Sequence, residues 1–368
     1  MNAAGLLSFG RRGKAMIQPT PEIQRVRIVI VSPALAEANN GNWQTAQRWR
    51  ALLAPHSVRI VQQWPDAEAH KHPEQPDQVM LALHARRSAA SVAAWAERQP
   101  AGRLAVVLTG TDLYRDIQSD PAAQQSLALA SQLVVLQASG PDALPADLRV
   151  KTRVIFQSST ALPAVSKPST QEQAPLRAVM VGHLRDEKSP QTLFAAARLL
   201  HDEPNLFIDH IGEALNPALS EAAQATAATC PNYRWLGGQP YNATRRYIQR
   251  AHVLVHTSLM EGGAHVIMEA VLSGTPVLAS RIPGNVGMLG DVYAGYFEPG
   301  DAEGLAQLLR RCRGAGAGAL FGSTSEATTG DDWLAQLRAQ CALRAPLFSS
   351  DVERAELLQL VHDLSTPR

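Results

Sequence analysis

Residues 252–278 read HVLVHTSLMEGGAHVIMEAVLSGTPVL, and this stretch decides the fold class. It begins with a short apolar run at 252–256, which is typical of a buried strand. A glycine-bearing loop follows, and then a helical segment that starts near Ala264 and stops at Gly274, the residue type that most often follows a helix. Pro276 opens a second strand. A strand, a loop, a helix and a parallel strand form a unit that binds ligands where the first strand ends.

The same alternation continues on both sides of this unit. Helices of 10 to 15 residues between short strands indicate parallel sheets with right-handed crossovers. We therefore predict an α/β protein with two Rossmann-like, doubly wound parallel-sheet domains that face a cleft. The predicted strands are 26–31, 58–61, 80–83, 104–108, 133–136, 154–156, 178–181, 206–208, 252–256 and 276–278. The other predicted helices are 43–53, 88–97, 191–200, 333–342 and 352–364.

Changes of composition along the chain divide these elements into domains. A proline-bearing polar stretch has the composition of a linker, and a Gly-Ala-rich stretch that of a flexible insertion. The predicted segments are a flexible tail (1–24), an acceptor-side domain (25–162), a linker (163–176), a donor domain (177–345) with an insertion (313–331), and a C-terminal helix (346–368) that packs back toward the first domain.

The composition excludes several classes of function. The chain has 368 residues, 34 Lys plus Arg and 33 Asp plus Glu, so a net charge of +1 favours neither nucleic acid nor stable membrane association. No apolar run approaches the length of a membrane span. The first residues lack the apolar core of a signal peptide. Three cysteines without a CxxC pair favour neither a disulfide framework nor zinc, so we expect a cytoplasmic protein.

The loop and helix at 261–269 carry a candidate ligand site. Glu261 follows a strand, Gly262 and Gly263 let the backbone approach a ligand, and the helix that starts near Ala264 offers free N–H groups to an anion. Glu269 lies about 1.5 turns inside that helix. Carboxylates there can accept hydrogen bonds from sugar and ribose hydroxyls. An ordinary loop acid and a solvated helix acid beside a structural Gly-Gly pair explain the pattern equally well.

A second cluster follows the predicted strand at 178–181. Gly182 permits a tight turn, and Arg185 and Lys188 place two cations at the carboxyl end of that strand. A diphosphate needs such a pair, with forked donors from Arg and a point charge from Lys. Solvated charges neutralised by neighbouring acids are the alternative. The two clusters occupy equivalent places in one domain, and together they supply the cations and the carboxylates that a nucleotide sugar requires.

A Gly-x-Leu-Arg-x-x-Lys turn followed by Glu-x7-Glu resembles the retaining glycosyltransferases of the GT-B fold, family 4. The resemblance extends over nearly the whole chain from residue 25. It implies that Arg185 and Lys188 hold the diphosphate of a UDP-sugar co-substrate, with Glu261 near the sugar and Glu269 on the ribose. It also implies that no metal or other cofactor is needed, and the sequence contains no Asp-x-Asp motif.

The N-terminal half resembles a narrower group. Residues 32–46, 84–88 and 108–114 are similar to the bacterial selenosugar synthases of selenoneine biosynthesis. This resemblance implies transfer of N-acetylglucosamine or glucose from UDP-N-acetylglucosamine or UDP-glucose to selenophosphate, with formation of a carbon–selenium bond.

The same three segments contain groups that suit a small anion. One precedes a helix, whose dipole and free amides attract an anion, and the other two follow strands with basic or hydroxyl side chains. The predicted acceptor-binding residues are Asn40, Gly41, Asn42, His84, Arg86, Thr109, Gly110 and Thr111, with Arg87 beside them. A packed structural His84, plain surface arginines and Asp112 as a helix N-cap remain alternatives. Trp43 is expected in the core.

The acceptor type determines the mechanism. The selenium of selenophosphate is already anionic and needs no strong general base, so the site has to position the reactants and stabilise the departing UDP. We expect Glu261, Lys188, Arg185 and His84 to be catalytic. A family 4 enzyme acting on a sugar or lipid hydroxyl is the alternative enzyme, and a two-lobed sugar-binding protein is the alternative from another class.

Overall fold

A computed structural model describes residues 25–34, 41–71, 74–99, 102–163, 165–167, 175–314 and 330–366. The predicted tail, most of the predicted insertion and the candidate residue Asn40 lie outside the described residues.

Two parallel sheets form the framework, as predicted, and each has six strands. The first sheet contains β1 (Arg27–Val31), β2 (Ser57–Val61), β3 (Val79–Leu83), β4 (Leu104–Leu108), β5 (Gln132–Val135) and β6 (Thr152–Val154). The second contains β7 (Leu176–Val181), β8 (Leu206–Ile211), β9 (Tyr233–Trp235), β10 (Val253–His256), β11 (Val277–Ser280) and β12 (Tyr296–Phe297).

Helices connect and cover the strands. With the first sheet lie α1 (Gly41–Leu52), α2 (Ala67–Lys71), α3 (Ala89–Arg98), α4 (Ile117–Ser119), α5 (Pro121–Leu129) and α6 (Ala146–Arg149). Later in the chain come α7 (Pro190–Leu199), α8 (Pro217–Thr229), α9 (Tyr241–Arg250), α10 (His265–Leu272), α11 (Pro283–Leu289), α12 (Ala302–Arg313), α13 (Gly330–Ala342) and α14 (Ser350–Ser365). Short 3₁₀ turns occupy Gly140–Ala143, Asp186–Lys188 and Ala345–Phe348, and a π-helical turn occupies Asp112–Asp116.

The strand order places ligand sites at one point in each sheet. The orders are β2-β1-β3-β4-β5-β6 and β12-β11-β10-β7-β8-β9, so the direction of winding reverses between β1 and β3 and between β10 and β7. In open α/β sheets the crevice beyond such a reversal binds ligands. The loops after β1, β3, β7 and β10 are therefore where the chemistry is expected, and they contain most of the candidate residues.

The core explains why the strand pattern is easy to recognise. Strands β3 and β4 are buried along their whole length, because helices cover both faces of a parallel sheet. The prediction omitted β9 and β12, which are edge strands of three and two residues with too few apolar positions to stand out. The prediction for Trp43 was wrong: it is half-buried, and Trp49 on the same helix is fully enclosed instead.

Helix α14 returns from the second half of the chain to the first sheet. Its apolar side chains Leu357, Leu360 and Val361 join the core cluster of Ile28 and Leu81. None of the helices in the described part of the chain has the length and apolarity needed to cross a membrane.

Candidate active site

A cavity of about 400 Å³ lies between the two sheets at the carboxyl ends of their strands. The first domain lines it with Gly41, Asn42, Thr45, His84, Arg87, Thr109, Gly110, Thr111, Arg115 and Gln157, among others. The second domain contributes Gly182, His183, Arg185, Glu187, Lys188, Glu261, Gly262, Gly263, Ala264 and His265, among others. We call the group from residues 41–45, 84–87 and 109–115 the acceptor wall, and the group from 182–188 and 261–266 the donor wall.

An ion pair of half-buried side chains lies at the centre of the donor wall. Lys188 Nζ donates to Glu261 Oε1 at 2.5 Å, and His256 Nε2 lies 3.2 Å from the same oxygen. Burial by itself raises the pKa of Glu261, but Lys188 and His256 together hold it well below its ordinary value. Burial lowers the pKa of His256. Glu261 is therefore a carboxylate at any physiological pH, able to accept hydrogen bonds but not to donate one.

Backbone hydrogen bonds fix the two loops of the donor wall to each other. The hydroxyl of Thr257 donates to the carbonyl of Lys188 at 2.7 Å, and the N–H of Leu259 donates to the carbonyl of Glu187 at 2.8 Å. The loops after β7 and β10 therefore form one unit. This explains how residues 73 positions apart in the chain, Lys188 and Glu261, meet as a pair.

The expected tight turn at Gly182 is absent. Gly182 is not among the residues with a left-handed backbone. The close approach is at its neighbour Gly212, where a Cβ would lie 1.9 Å from the carbonyl oxygen of Gly182. The glycine that the packing requires is thus Gly212, on the next strand, because the two strand ends touch through their backbones.

Arg185 lines the cavity with an exposed side chain. Its guanidinium group makes no hydrogen bond or salt bridge to any residue that the structure describes, and only its backbone carbonyl accepts, from the N–H of Lys188 at 3.1 Å. Lys188 is only 14% exposed and is already paired. The two cations therefore differ: Lys188 is held in place, whereas Arg185 is available to an incoming anion.

The segment that leads into α10 lies at the cavity. Gly262, Gly263 and Ala264 all line it, although the N–H of Ala264 points to Met288 Sδ at 3.1 Å. His265, the first residue of this helix, also lines the cavity, although it was not among the predicted site residues. Burial, with the charges of Arg48 and Lys188, lowers its pKa to about 3, so its imidazole is neutral. Its position could have been recognised from the sequence, because a histidine in the first turn of a helix that follows a strand end lies where ligands bind.

Glu269 does not line the cavity. It is buried, and Tyr241 Oη donates to its Oε1 at 2.9 Å while Arg245 Nε lies 4.0 Å away. Burial raises the pKa of Glu269, and Arg245 and Tyr241 only partly offset this. Tyr241, from α9, is half-exposed, and its hydroxyl uses one of the hydrogen-bonding positions of Glu269.

His84 is the central side chain of the acceptor wall. It is buried and has a left-handed backbone, with φ of 74°, which is uncommon for a residue other than glycine. The N–H of Arg87 donates to its Nδ1 at 3.4 Å, so we assign the ring proton to Nε2, which lies 3.1 Å from Thr111 Oγ1. Burial lowers the pKa of His84 despite the nearby carboxylate of Asp112. The imidazole is therefore neutral.

Asp112 organises this wall and is more than a helix cap. It is fully buried, and its carboxylate accepts from the N–H groups of Ala85 at 2.9 Å, Thr109 at 2.8 Å and Gly110 at 3.0 Å. These donors lie in the loops after β3 and β4. One carboxylate thus holds both loops at the cavity.

The two adjacent arginines are placed differently, and the acceptor-binding role of Arg86 stays a prediction. Arg86 does not line the cavity, because its Nε donates to Asp116 Oδ2 at 2.9 Å. Its neighbour Arg87 and the distant Arg115 line the cavity instead. Arg115 also reaches across to the other domain, with Nη1 3.3 Å from Glu187 Oε1. Adjacent arginines cannot be told apart from the sequence, since the backbone turn decides which one faces the cavity.

The two walls touch through glycine. A Cβ on Gly262 would lie 2.4 Å from the carbonyl carbon of Thr109 and 2.5 Å from the N of Gly110. Gly110 itself has φ of 132°, a conformation that side chains rarely allow. The domains therefore meet backbone to backbone beside the cavity, and a methyl group at Gly262 is incompatible with this contact.

Within the described ranges no group of three or more His, Cys, Asp or Glu side chains is placed to hold a metal ion. Metal independence stays a prediction, since it concerns turnover.

Comparison with known proteins defines the class. Residues 164–312, less than half of the chain, match the family model described as Glycosyl transferases group 1. Glycosyltransferase 1 domain-containing protein 1 of Xenopus tropicalis is 31% identical over 108 residues, which make up 29% of this chain and only 31% of that protein.

Solved structures extend the likeness to the whole fold. Sucrose-phosphate synthase from Thermosynechococcus elongatus matches with a TM-score of 0.69 and 17% identity, over 92% of this chain and 99% of that one. HepE from Anabaena, solved in complex with UDP and glucose, matches with a TM-score of 0.64 and 14% identity, over 92% and 99%. At such low identity these structures establish the fold alone.

The protein thus has the GT-B fold of glycosyltransferases, as predicted. More particularly, residues 164–312 match the group 1 glycosyltransferase model, and the donor wall lies within that matched segment.

Proposed function

We propose that this protein is a cytoplasmic, retaining and metal-independent hexosyltransferase that transfers N-acetylglucosamine or glucose from a UDP-sugar to selenophosphate. The observation that carries the proposal is one cavity with cationic groups on both of its walls. A nucleotide sugar needs such groups for its diphosphate, and a phosphate-type acceptor needs a second set.

The donor wall suits a nucleotide diphosphate sugar. Arg185, the N–H groups of Gly262 and Gly263, and the start of α10 would hold the diphosphate, since a helix N-terminus favours anions. The group 1 domain supports this, as does the likeness to HepE, which was solved with UDP and glucose. Tyr241 would have to move for Glu269 to reach the ribose.

Glu261 and Lys188 take separate roles at the reacting end. Glu261, held as a carboxylate, accepts hydrogen bonds from sugar hydroxyls. Lys188 shares its three protons between Glu261 and a phosphate oxygen, so that its charge stabilises the negative charge that builds on departing UDP.

The acceptor wall suits a small anion. Arg87 and Arg115 supply positive charge, while Thr109 and Gly110 line the same edge with their N–H groups bonded to Asp112. His84 Nε2 donates to Thr111 Oγ1, which leaves the hydroxyl proton of Thr111 free to point at the acceptor. A neutral His84 is no obstacle, because an anionic selenium has no proton to lose.

The reaction balances without a co-reactant. A lone pair on selenium attacks the anomeric carbon, the bond from that carbon to the UDP oxygen breaks, and its electron pair leaves with UDP. Attack on the face that UDP leaves gives retention, as the family resemblance implies. The immediate product carries a selenium–phosphorus bond, and water must later cleave that bond to release phosphate.

Mass spectrometry of the products tests the proposal. Purified protein is mixed with selenophosphate and either UDP-N-acetylglucosamine or UDP-glucose, with and without EDTA. We expect a selenium-containing sugar and an equal amount of UDP in all four mixtures. UDP release without selenium on the sugar would contradict selenophosphate as the acceptor and favour a hydroxyl acceptor. Loss of activity in EDTA would contradict metal independence.

A further inference from the structure

We infer that Glu353, on the C-terminal helix α14, is a positioning residue that sets the acceptor wall from outside the cavity. Its activity readout rests on the proposed transfer reaction. Glu353 is not among the residues that line the cavity, and nothing in the sequence patterns pointed to it.

The carboxylate of Glu353 joins three parts of the chain. It is completely buried and accepts from Trp49 Nε1 at 2.7 Å and from Arg48 Nε at 2.9 Å, both on α1. It also accepts from the N–H of Ser158 at 2.7 Å and from its hydroxyl at 2.5 Å. Ser158 lies in the segment that leaves the first domain. One side chain therefore ties α14, α1 and the interdomain connection together.

The residues that Glu353 contacts lie close in the chain to residues that line the cavity. Thr45 lies one turn before Trp49 on α1 and lines the cavity, and Gln157 next to Ser158 also lines it. Gln157 Nε2 donates to Thr45 Oγ1 at 2.5 Å, and that hydroxyl donates to the carbonyl of Gly41 at 2.8 Å. The position of the first turn of α1, which faces the acceptor, thus depends on the carboxylate of Glu353.

Position 353 requires a negatively charged hydrogen-bond acceptor rather than a neutral polar side chain. All four groups donate, so an amide at position 353 would turn an N–H₂ toward at least one donor. Arg48 Nη2 is buried without a partner among the described residues, and the carboxylate is the only salt-bridge partner that the described residues give Arg48. Removing one member of a buried pair is strongly unfavourable because it strands the other charge.

Helix α14 offers a matched control near its other end. Asp363 pairs with Arg153 on β6, which also tethers the helix to the first sheet. Neither Asp363 nor Arg153 lines the cavity. A residue that only anchors α14 should behave like Asp363.

The test compares Glu353→Gln with Asp363→Asn by steady-state kinetics and thermal unfolding. For Glu353→Gln we expect KM for selenophosphate to rise about tenfold while KM for the UDP-sugar changes less than about twofold. For Asp363→Asn we expect a lower Tm with both KM values unchanged. Equal changes in both KM values, or a fall in Tm alone, in Glu353→Gln would overturn the inference.

Thr45→Val provides a second test if Glu353→Gln does not fold. It removes only the two hydrogen bonds of the Thr45 hydroxyl, to Gln157 and to the carbonyl of Gly41, which link the surroundings of Glu353 to the first turn of α1. We expect the same selective rise in KM for selenophosphate, and an unchanged value would overturn the inference. If wild type makes no selenosugar, the proposed function fails, and calorimetric titration of inorganic phosphate in the presence of UDP replaces KM. In that assay weaker phosphate binding by Glu353→Gln than by Asp363→Asn supports the inference, and equal binding overturns it.

Discussion

The two walls of the cavity hold their charges in opposite ways. On the donor wall a cation and a carboxylate, Lys188 and Glu261, pair with each other at the surface where substrate must arrive. On the acceptor wall the carboxylate of Asp112 turns inward and binds backbone N–H groups, while Arg87 and Arg115 face the cavity.

This difference suggests separate roles: the donor-wall pair takes part in the reaction, whereas the acceptor wall holds a substrate in place. In the proposed reaction Lys188 and Glu261 exchange partners when the diphosphate binds, so they act on the charge that changes during the reaction. An inward carboxylate fixes loops and leaves the outward cations to bind a ligand. We therefore expect donor-wall variants to lower kcat and acceptor-wall variants to raise the acceptor KM.

The largest effect is expected where the walls touch. In Gly262→Ala the new methyl group would overlap the backbone of Thr109 and Gly110, which cannot move like a side chain. The walls must then separate, and since small misplacements of reactants are costly we expect kcat/KM to fall about a hundredfold or more. Each sheet keeps its own core, so Tm should change little. Near-normal kcat/KM would show that the reaction does not need this contact.

Lys188→Met should lower kcat by about a hundredfold, because it removes the cation that we propose stabilises departing UDP. Steady-state kinetics with saturating UDP-sugar measures this. Lys167→Met is the matched control, since Lys167 is also half-buried but binds Thr275 away from the cavity. An equal loss in both variants would assign the effect to stability instead of chemistry.

The same variant should change the pH profile. Glu261 has a pKa below its ordinary value of 4.5, so the ionised form is favoured and activity is lost only as pH falls through that lowered pKa. Without Lys188, only His256 offsets the effect of burial, so the pKa of Glu261 rises from its value in the wild type. In Lys188→Met the fall of kcat at acidic pH should therefore begin at a higher pH than in the wild type. An unchanged pH profile would contradict the requirement of the reaction for an ionised Glu261.

The two walls also differ in how far the sequence predicts them. The strands that flank the donor wall are apolar, and its groups follow two of them within short motifs, so Lys188 and Glu261 were recognisable. Glu269 lies in the same motif, yet its contact with Tyr241 depends on a helix 28 positions away. Short-range patterns fix which strand end a residue follows, but not which side chain covers it.

The acceptor wall depends on contacts that have no local pattern. Which of Arg86 and Arg87 faces the cavity is decided by Asp116, some 30 residues later, and by the left-handed backbone at His84. Glu353 is more than 300 positions from Arg48. The sequence could therefore identify the loops of this wall but not the orientation of their side chains.

The adjacent arginines give a direct test of that orientation. Arg87→Ala removes a charge from the cavity, and we expect KM for selenophosphate to rise about tenfold with kcat little changed. Arg86→Ala breaks a partly exposed pair with Asp116, whose contribution is small, so a change of about threefold or less is expected. Steady-state kinetics with varied selenophosphate compares the two, and the reverse order would show that Arg86 faces the acceptor.

The smallest effect is expected at Tyr241, which covers Glu269. Tyr241→Phe removes the hydroxyl that donates to Glu269 Oε1 but keeps the ring, so the packing of α9 is preserved. If Glu269 binds the ribose, this change frees a lone pair that the ribose can use, and KM for the UDP-sugar should fall by about threefold while KM for selenophosphate stays constant. Tyr247→Phe is the control, because Tyr247 lies on the same helix away from the cavity. A rise in donor KM in Tyr241→Phe alone would mean that the tyrosine hydroxyl, and not Glu269, contacts the nucleotide.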